Sequence, residues 1–171
     1  MSPLLVLSLV LAGLDLGGQI GTVFPSAGLE IQHRAGIGLG VSLGYSLGRN
    51  RFELRYGFAE LTGPEASPYR LILHNLGGRY TFELLHRPDW GVEAAAGTSL
   101  SCLSRTLGSA RESGRTPLGH LGLGLVQRLG PTRLNLGFEQ AFFVESRAAG
   151  TATRLAFTPL PGIHAGVAYV F

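Results

Sequence analysis

The feature that constrains this chain most is a period-two alternation of apolar with polar or small residues, recurring from residue 14 to the end. Ile37, Leu39, Val41, Leu43, Tyr45 and Leu47 alternate with Gly38, Gly40, Ser42, Gly44 and Ser46. Phe52, Leu54, Tyr56 and Phe58 alternate with Arg51, Glu53, Arg55 and Gly57. Successive side chains of a strand point to opposite faces, so each segment has one greasy face and one polar face. Turn signals divide the alternation into eight expected strands, about 14–24, 36–47, 51–61, 69–84, 90–102, 118–129, 132–145 and 162–171.

These strands need a surrounding that accepts grease on one face of every one of them. The last segment states the demand most clearly. Ile163, Ala165, Val167, Tyr169 and Phe171 form one stripe, opposite His164, Gly166, Ala168 and Val170. A strand of that kind suits a closed barrel in a bilayer, where the outside is apolar and no backbone edge stays open. Composition agrees. Charged residues are 15% of the chain, below the usual quarter, while the apolar share of 45% is ordinary. The longest apolar run, Leu4 to Leu14, is about half of what a spanning helix needs. Residues 1–13 read as a signal peptide or its remnant, with a cleavage position after Ala12, and residues 14–171 as one domain.

The expected connections alternate in length. Gly48-Arg49-Asn50, Leu85 to Asp89 and Gly130-Pro131 are short, while 25–35, 62–68, 103–117 and 146–161 are long. Short turns at one rim and long loops at the other are the habit of membrane barrels. Tyr45, Phe52, Phe82, Trp90, Tyr169 and Phe171 gather at the short-turn rim, where an interfacial girdle belongs.

On these residues the chain resembles the small eight-stranded outer-membrane β-barrels of Gram-negative bacteria, the group of the OmpA transmembrane domain, OmpX and OmpW. His164, Gly166, Tyr169 and Phe171 match the carboxyl-terminal assembly signal of that group. The resemblance implies an all-β, antiparallel up-and-down barrel with short periplasmic turns and long extracellular loops. It also implies a place in the outer membrane and the assembly machinery as a partner during biogenesis. No peptidoglycan-binding domain is expected after Phe171, and a monomer is favoured.

With grease outward, the inner face carries Asp15, Glu53, Glu83, Glu93 and Glu139 against Arg51, Arg55, Arg79, Arg128 and Arg133, joined by His120, His164, Gln19, Asn75 and Asn135. Five acids against five arginines suit a self-paired network, because an orphan charge in a dry lumen costs several kcal/mol. An eight-stranded barrel is just wide enough for side chains to fill. The leading expectation is therefore a structural or interaction protein with a charge-filled lumen. The Gly and Ser wall at 38–46 leaves a narrow channel for small or apolar solutes as the alternative.

Other readings are weaker. Ser101, His120, Glu139 and His164 supply a hydroxyl, two bases and a carboxylate on consecutive inner faces, the parts of a nucleophilic site. The resemblance brings lipid A-modifying barrels to bear, but the His-x-Ser arrangement of the deacylases finds no match at His120-Leu121-Gly122. No enzyme is expected. A soluble lipocalin-like lipid carrier would use the same alternation with its faces reversed. His33 and His86 read as loop residues and His74 as a rim residue, with no metal spacing among them, so neither metal nor cofactor is expected. A net charge of +3 without a basic cluster gives no case for nucleic acid. Cys102 reads as a buried or lipid-facing thiol. Arg105, Arg111 and Arg115 fall in the third expected loop, and Arg147 and Arg154 in the fourth. Guanidinium groups suit phosphate oxygens, which makes lipopolysaccharide a candidate partner there.

Overall fold

The computed structural model describes residues 13–25, 34–63, 69–149 and 152–171, with their side chains apart from those of 69, 105, 107, 110, 112, 143–149 and 152–158. Eight strands follow in order: β1 (Leu14–Val23), β2 (Gly36–Leu47), β3 (Asn50–Thr62), β4 (Tyr69–His86), β5 (Trp90–Leu107), β6 (Ala110–Leu129), β7 (Thr132–Ala149) and β8 (Ala152–Val170). Each pairs antiparallel with its neighbour in sequence, and β1 pairs with β8 from Asp15↔Val170 to Val23↔Gly162. The cylinder is closed, each strand pairing on both sides through the belt, while Ala110–Pro117 of β6 pair with β5 alone and Ala152–Pro161 of β8 with β7 alone.

The turns at the short rim are set by local chemistry. Leu47 pairs with Asn50 and Leu129 with Thr132, leaving two-residue loops in which Gly48 and Gly130 both have φ near +60°. Pro131 follows Gly130, and its fixed negative φ makes that loop a type II′ turn, whose twist matches a hairpin. Between β4 and β5 the register shifts between Glu83 and Leu85, a bulge that leaves both Leu84 and Leu85 exposed.

Two of the expected long loops are strand instead. Residues 103–107 and 110–117 continue β5 and β6 and meet in a two-residue turn at Gly108, φ 59°. Residues 146–149 and 152–161 likewise extend β7 and β8, with Ala149 opposite Ala152. Arg105, Arg111, Arg115, Arg147 and Arg154 therefore stand on strands. The physical reason is that beyond the apolar belt both faces of a hairpin are free to be polar. Backbone pairing persists there without the alternation that marks a strand in sequence. Most of 25–35 and 62–68, His33 and residues 1–12 lie outside the described residues.

The faces have the expected sense. Leu39, Val41, Leu43, Leu54, Leu123, Leu136 and Val167 are about half exposed on the outside, while Asp15, Arg51, Glu53, Glu83 and Glu93 are buried within. Tyr45, Phe52, Phe82, Trp90, Tyr169 and Phe171 are exposed near the short-turn rim.

Candidate functional site

The lower lumen, toward the short-turn rim, holds one linked run of ion pairs and two further pairs beside it. Arg51 of β3 donates from Nε to Asp15 Oδ2 at 2.9 Å and from Nη2 to Asp15 Oδ1 at 2.5 Å. Its Nη1 lies 2.8 Å from Glu53 Oε1, and Arg79 Nη1 lies 3.5 Å from Glu53 Oε2. Arg79 Nε then stands 3.8 Å from Glu139 Oε2, which also accepts from Arg55 Nη1 at 2.8 Å. Arg55 reaches Gln19 with its other nitrogen. Arg133 pairs with Glu93, and Arg128 with Glu83. Glu83 is shared with His86, at 2.6 Å, and Arg128 also donates to the carbonyl of Arg87 at 2.8 Å. Among the described residues, Asp15, Glu53, Glu83, Glu93 and Glu139 each have an arginine against them, which is what burial of so many charges requires.

Room for these side chains comes from glycines directly opposite on the neighbouring strand. Gly44 pairs with Asp15, Gly40 with Gln19, Gly97 with Arg79 and Gly124 with Glu93. A Cβ at Gly44 would stand 2.4 Å from Asp15 Oδ1, and one at Gly40 2.9 Å from the Gln19 side chain. The Gly and Ser wall of β2 is thus covered largely by its neighbours and is not an open slot. His164 and Gly166 follow the same rule: the His164 ring lies over Gly137, and Asn135 lies over Gly166. Tyr169 and Phe171 face outward with ring centroids 5.2 Å apart.

The upper lumen is apolar, a layer that the alternation did not announce. Ala59, Leu61, Leu73, Leu118 and Leu160 form a buried cluster, packed by Val23, Leu71, Leu103 and Ala141. Leu61 is 0% exposed, Leu73 1% and Leu118 2%, so these side chains are packed against one another. Below this ring, a cavity of about 120 Å³ and one of about 70 Å³ lie against the charge network. A larger hollow of about 290 Å³ opens at the short-turn rim, lined by Arg51, Glu83, Glu93, Arg128 and Arg133 among others.

The hydroxyl–imidazole–carboxylate set is assembled with a different serine from the one expected. Ser99 Oγ lies 2.6 Å from His120 Nε2, whereas Ser101 Oγ is buried with no hydrogen-bond partner. His120 Nδ1 stands 3.2 Å from Glu139 Oε1 but off the line of a hydrogen bond. The cavity beside Ser99, His120 and Glu139, about 70 Å³, holds the volume of roughly two waters and not an acyl chain. Geometry and room both fit a structural polar contact. Among the described residues no group of three His, Cys, Asp or Glu side chains is placed to hold a metal ion.

Outside, the apolar belt gives way to polar residues on the far halves of β3 to β6. His74 is in the body of β4, not at a rim; it faces outward, and its Nδ1 lies 2.7 Å from Tyr56 Oη. Arg70 donates to both carboxylate oxygens of Glu60 at 2.6 and 2.9 Å. Cys102 is exposed, in register with His74 and Arg115. Arg111 and Arg115 are exposed, and Arg111 Nε donates to Ser104 Oγ at 3.3 Å. Arg105 stands opposite Leu71 and Glu112 in backbone register, and Arg147 opposite Arg154.

Solved structures share this architecture. Neisserial surface protein A superposes with a TM-score of 0.71 at 16% identity, over 93% of this chain and 97% of that one. The fold is that of a small outer-membrane β-barrel. Ail, the attachment invasion locus protein of Yersinia pestis, matches with a TM-score of 0.53 at 11% identity over 93% of this barrel and 97% of its own chain. The outer membrane protein AlkL, solved in lipid bilayers, matches with a TM-score of 0.52 at 10% identity over 94% and 90%. No family model and no curated protein matches the chain. A closed barrel with this apolar outer face suits a bacterial outer membrane.

Proposed function

We propose that this barrel is a non-conducting structural and interaction protein of the outer membrane, working through envelope support and contacts at its extracellular end. The observation that carries the reading is the double closure of the lumen. A layer of paired charges fills the periplasmic half, and a ring of leucines fills the half above it. A conducting pore needs a continuous wetted path, and Leu61 and Leu73 interrupt one. A soluble carrier needs an apolar interior of ligand size, whereas the interior here is charged below and packed above. Structural likeness to a neisserial surface protein and to an attachment invasion protein supports the interaction reading at the level of fold.

Deletion of the gene in its host tests this role. The reading expects increased sensitivity to detergents and to large antibiotics, or loss of a surface contact, restored by the wild-type chain and also by variants with altered lumen volume. Unchanged envelope resistance together with loss of uptake of a small solute would favour the channel reading.

A further inference from the structure

The outer wall is not uniformly bulky. One row in register across five strands reads Leu54–Gly78–Thr98–Gly119–Phe142. Its three central members are small, and the row below adds Ala96 between Tyr80 and Leu121. Together they form a shallow, open trough on the lipid-facing surface, edged by Phe52, Leu54, Tyr80, Leu121 and Phe142. The emptiness is genuine. A Cβ at Gly119 would meet nothing within 4 Å, and one at Gly78 only the carbonyl of Glu53 at 3.9 Å. These glycines are therefore not required for protein packing, unlike the inward glycines at 40 and 44. From Leu54 to Phe142 the trough crosses four strand spacings, about 19 Å, close to the reach of an extended fatty acyl chain.

Directly above it the outer face turns cationic. Arg115 stands two outward positions beyond Gly119 on β6, and Arg111 two further on. At about 3.3 Å per residue Arg115 is about 13 Å from Gly119 along the strand, or about 10 Å of membrane depth at the tilt of such barrels. Arg70 shares a register row with Thr106 and Arg111, and Glu60 is its partner. Among the described residues no carboxylate pairs with Arg111 or Arg115. A cation pair at headgroup height over an apolar trough at acyl depth is complementary to one kind of molecule.

We propose that the outer face of β4–β6 is a specific site for a phosphorylated, acylated glycolipid of the outer leaflet, of the lipid A type. Its phosphates meet Arg111 and Arg115, and one acyl chain lies in the Gly78–Thr98–Gly119 trough. Two arginines about 13 Å apart along one strand suit a headgroup bearing two phosphates better than a single-phosphate glycerolipid. The site rests on the outer-membrane reading but not on what the lumen does.

The test is native mass spectrometry of the detergent-folded barrel with diphosphoryl lipid A, with phosphatidylglycerol in a parallel arm. The wild type is expected to retain one lipid A, at least fivefold more than phosphatidylglycerol. Arg111→Ser with Arg115→Ser is expected to lower retention at least fivefold. Gly119→Leu places its Cβ in open space and its side chain in the trough; it is expected to fold, to keep the heat-dependent gel shift of a barrel and to lose retention similarly. Equal retention by wild type and both variants overturns the site. Loss in the arginine variant with Gly119→Leu unaffected overturns the trough, and equal retention of phosphatidylglycerol overturns the choice of lipid. Failure of the outer-membrane reading shows separately, as a chain that forms no heat-modifiable barrel.

Discussion

Asp15 on β1 and Arg51 on β3 form a two-point ion pair across β2, passing over Gly44. The pair ties two non-adjacent strands on the inside of the cylinder, and it exists because the strand between them has no side chain at that point. A Cβ at position 44 would stand 2.4 Å from Asp15 Oδ1. Gly44→Val should therefore destabilise the barrel by about 2 kcal/mol through overpacking, despite the better strand propensity of valine. Urea titration of the folded gel band checks it. Gly119→Leu, on the open outer wall, should change the same midpoint little.

Removing one charge should be worse than removing both. Asp15→Asn leaves Arg51 with Glu53 as its remaining partner, and should cost roughly 3 kcal/mol in the same titration. Asp15→Leu combined with Arg51→Met should recover part of that loss, because the charges removed balance and Glu53 keeps Arg79 at 3.5 Å.

The leucine ring should act as packing. Leu61 is 0% exposed, and Leu61→Ala should cost about 3 kcal/mol by leaving a cavity. It should not create conductance, since the charge layer beneath it remains closed.

The strand extension of β5 and β6 has its own consequence. Arg105, Arg111 and Arg115 lie in a paired hairpin turning at Gly108, so trypsin should cut there slowly in the folded protein and promptly after unfolding. Cys102 and Ser101 are adjacent on β5 but point to opposite faces, one exposed and one 0% exposed. A bulky water-soluble maleimide should label Cys102 in the folded barrel. In Ser101→Cys with Cys102→Ser it should label only after denaturation.

What could be read from the sequence follows where solvent contrast was steep. In β2 and β3 lipid lies on one side and charge on the other, and the alternation from Ile37 to Phe58 carries strand, face and tilt-length together. Beyond the belt the contrast vanishes, and so did the signal: Ser104, Arg105 and Thr106 read as loop although the backbone stays paired. The leucine ring was hidden by the opposite failure. In Leu71-Ile72-Leu73 both faces are apolar, so period two disappears although Leu73 is buried and Ile72 points out. Composition of the charge network was visible, but its pairing was not. Which arginine meets which acid depends on register between strands distant in sequence, and a two-residue difference decided that His120 meets Ser99 and not Ser101.

Closure of the lumen at two levels is the claim on which the functional reading stands, and planar-bilayer recording tests it most directly. Wild-type protein at high load should give no unitary steps above the lipid background, and neither should Leu61→Ala. Discrete steps from the wild-type barrel would contradict the account, because ions would then be passing where Leu61, Leu73 and the Arg51–Glu53 pair are closed to water.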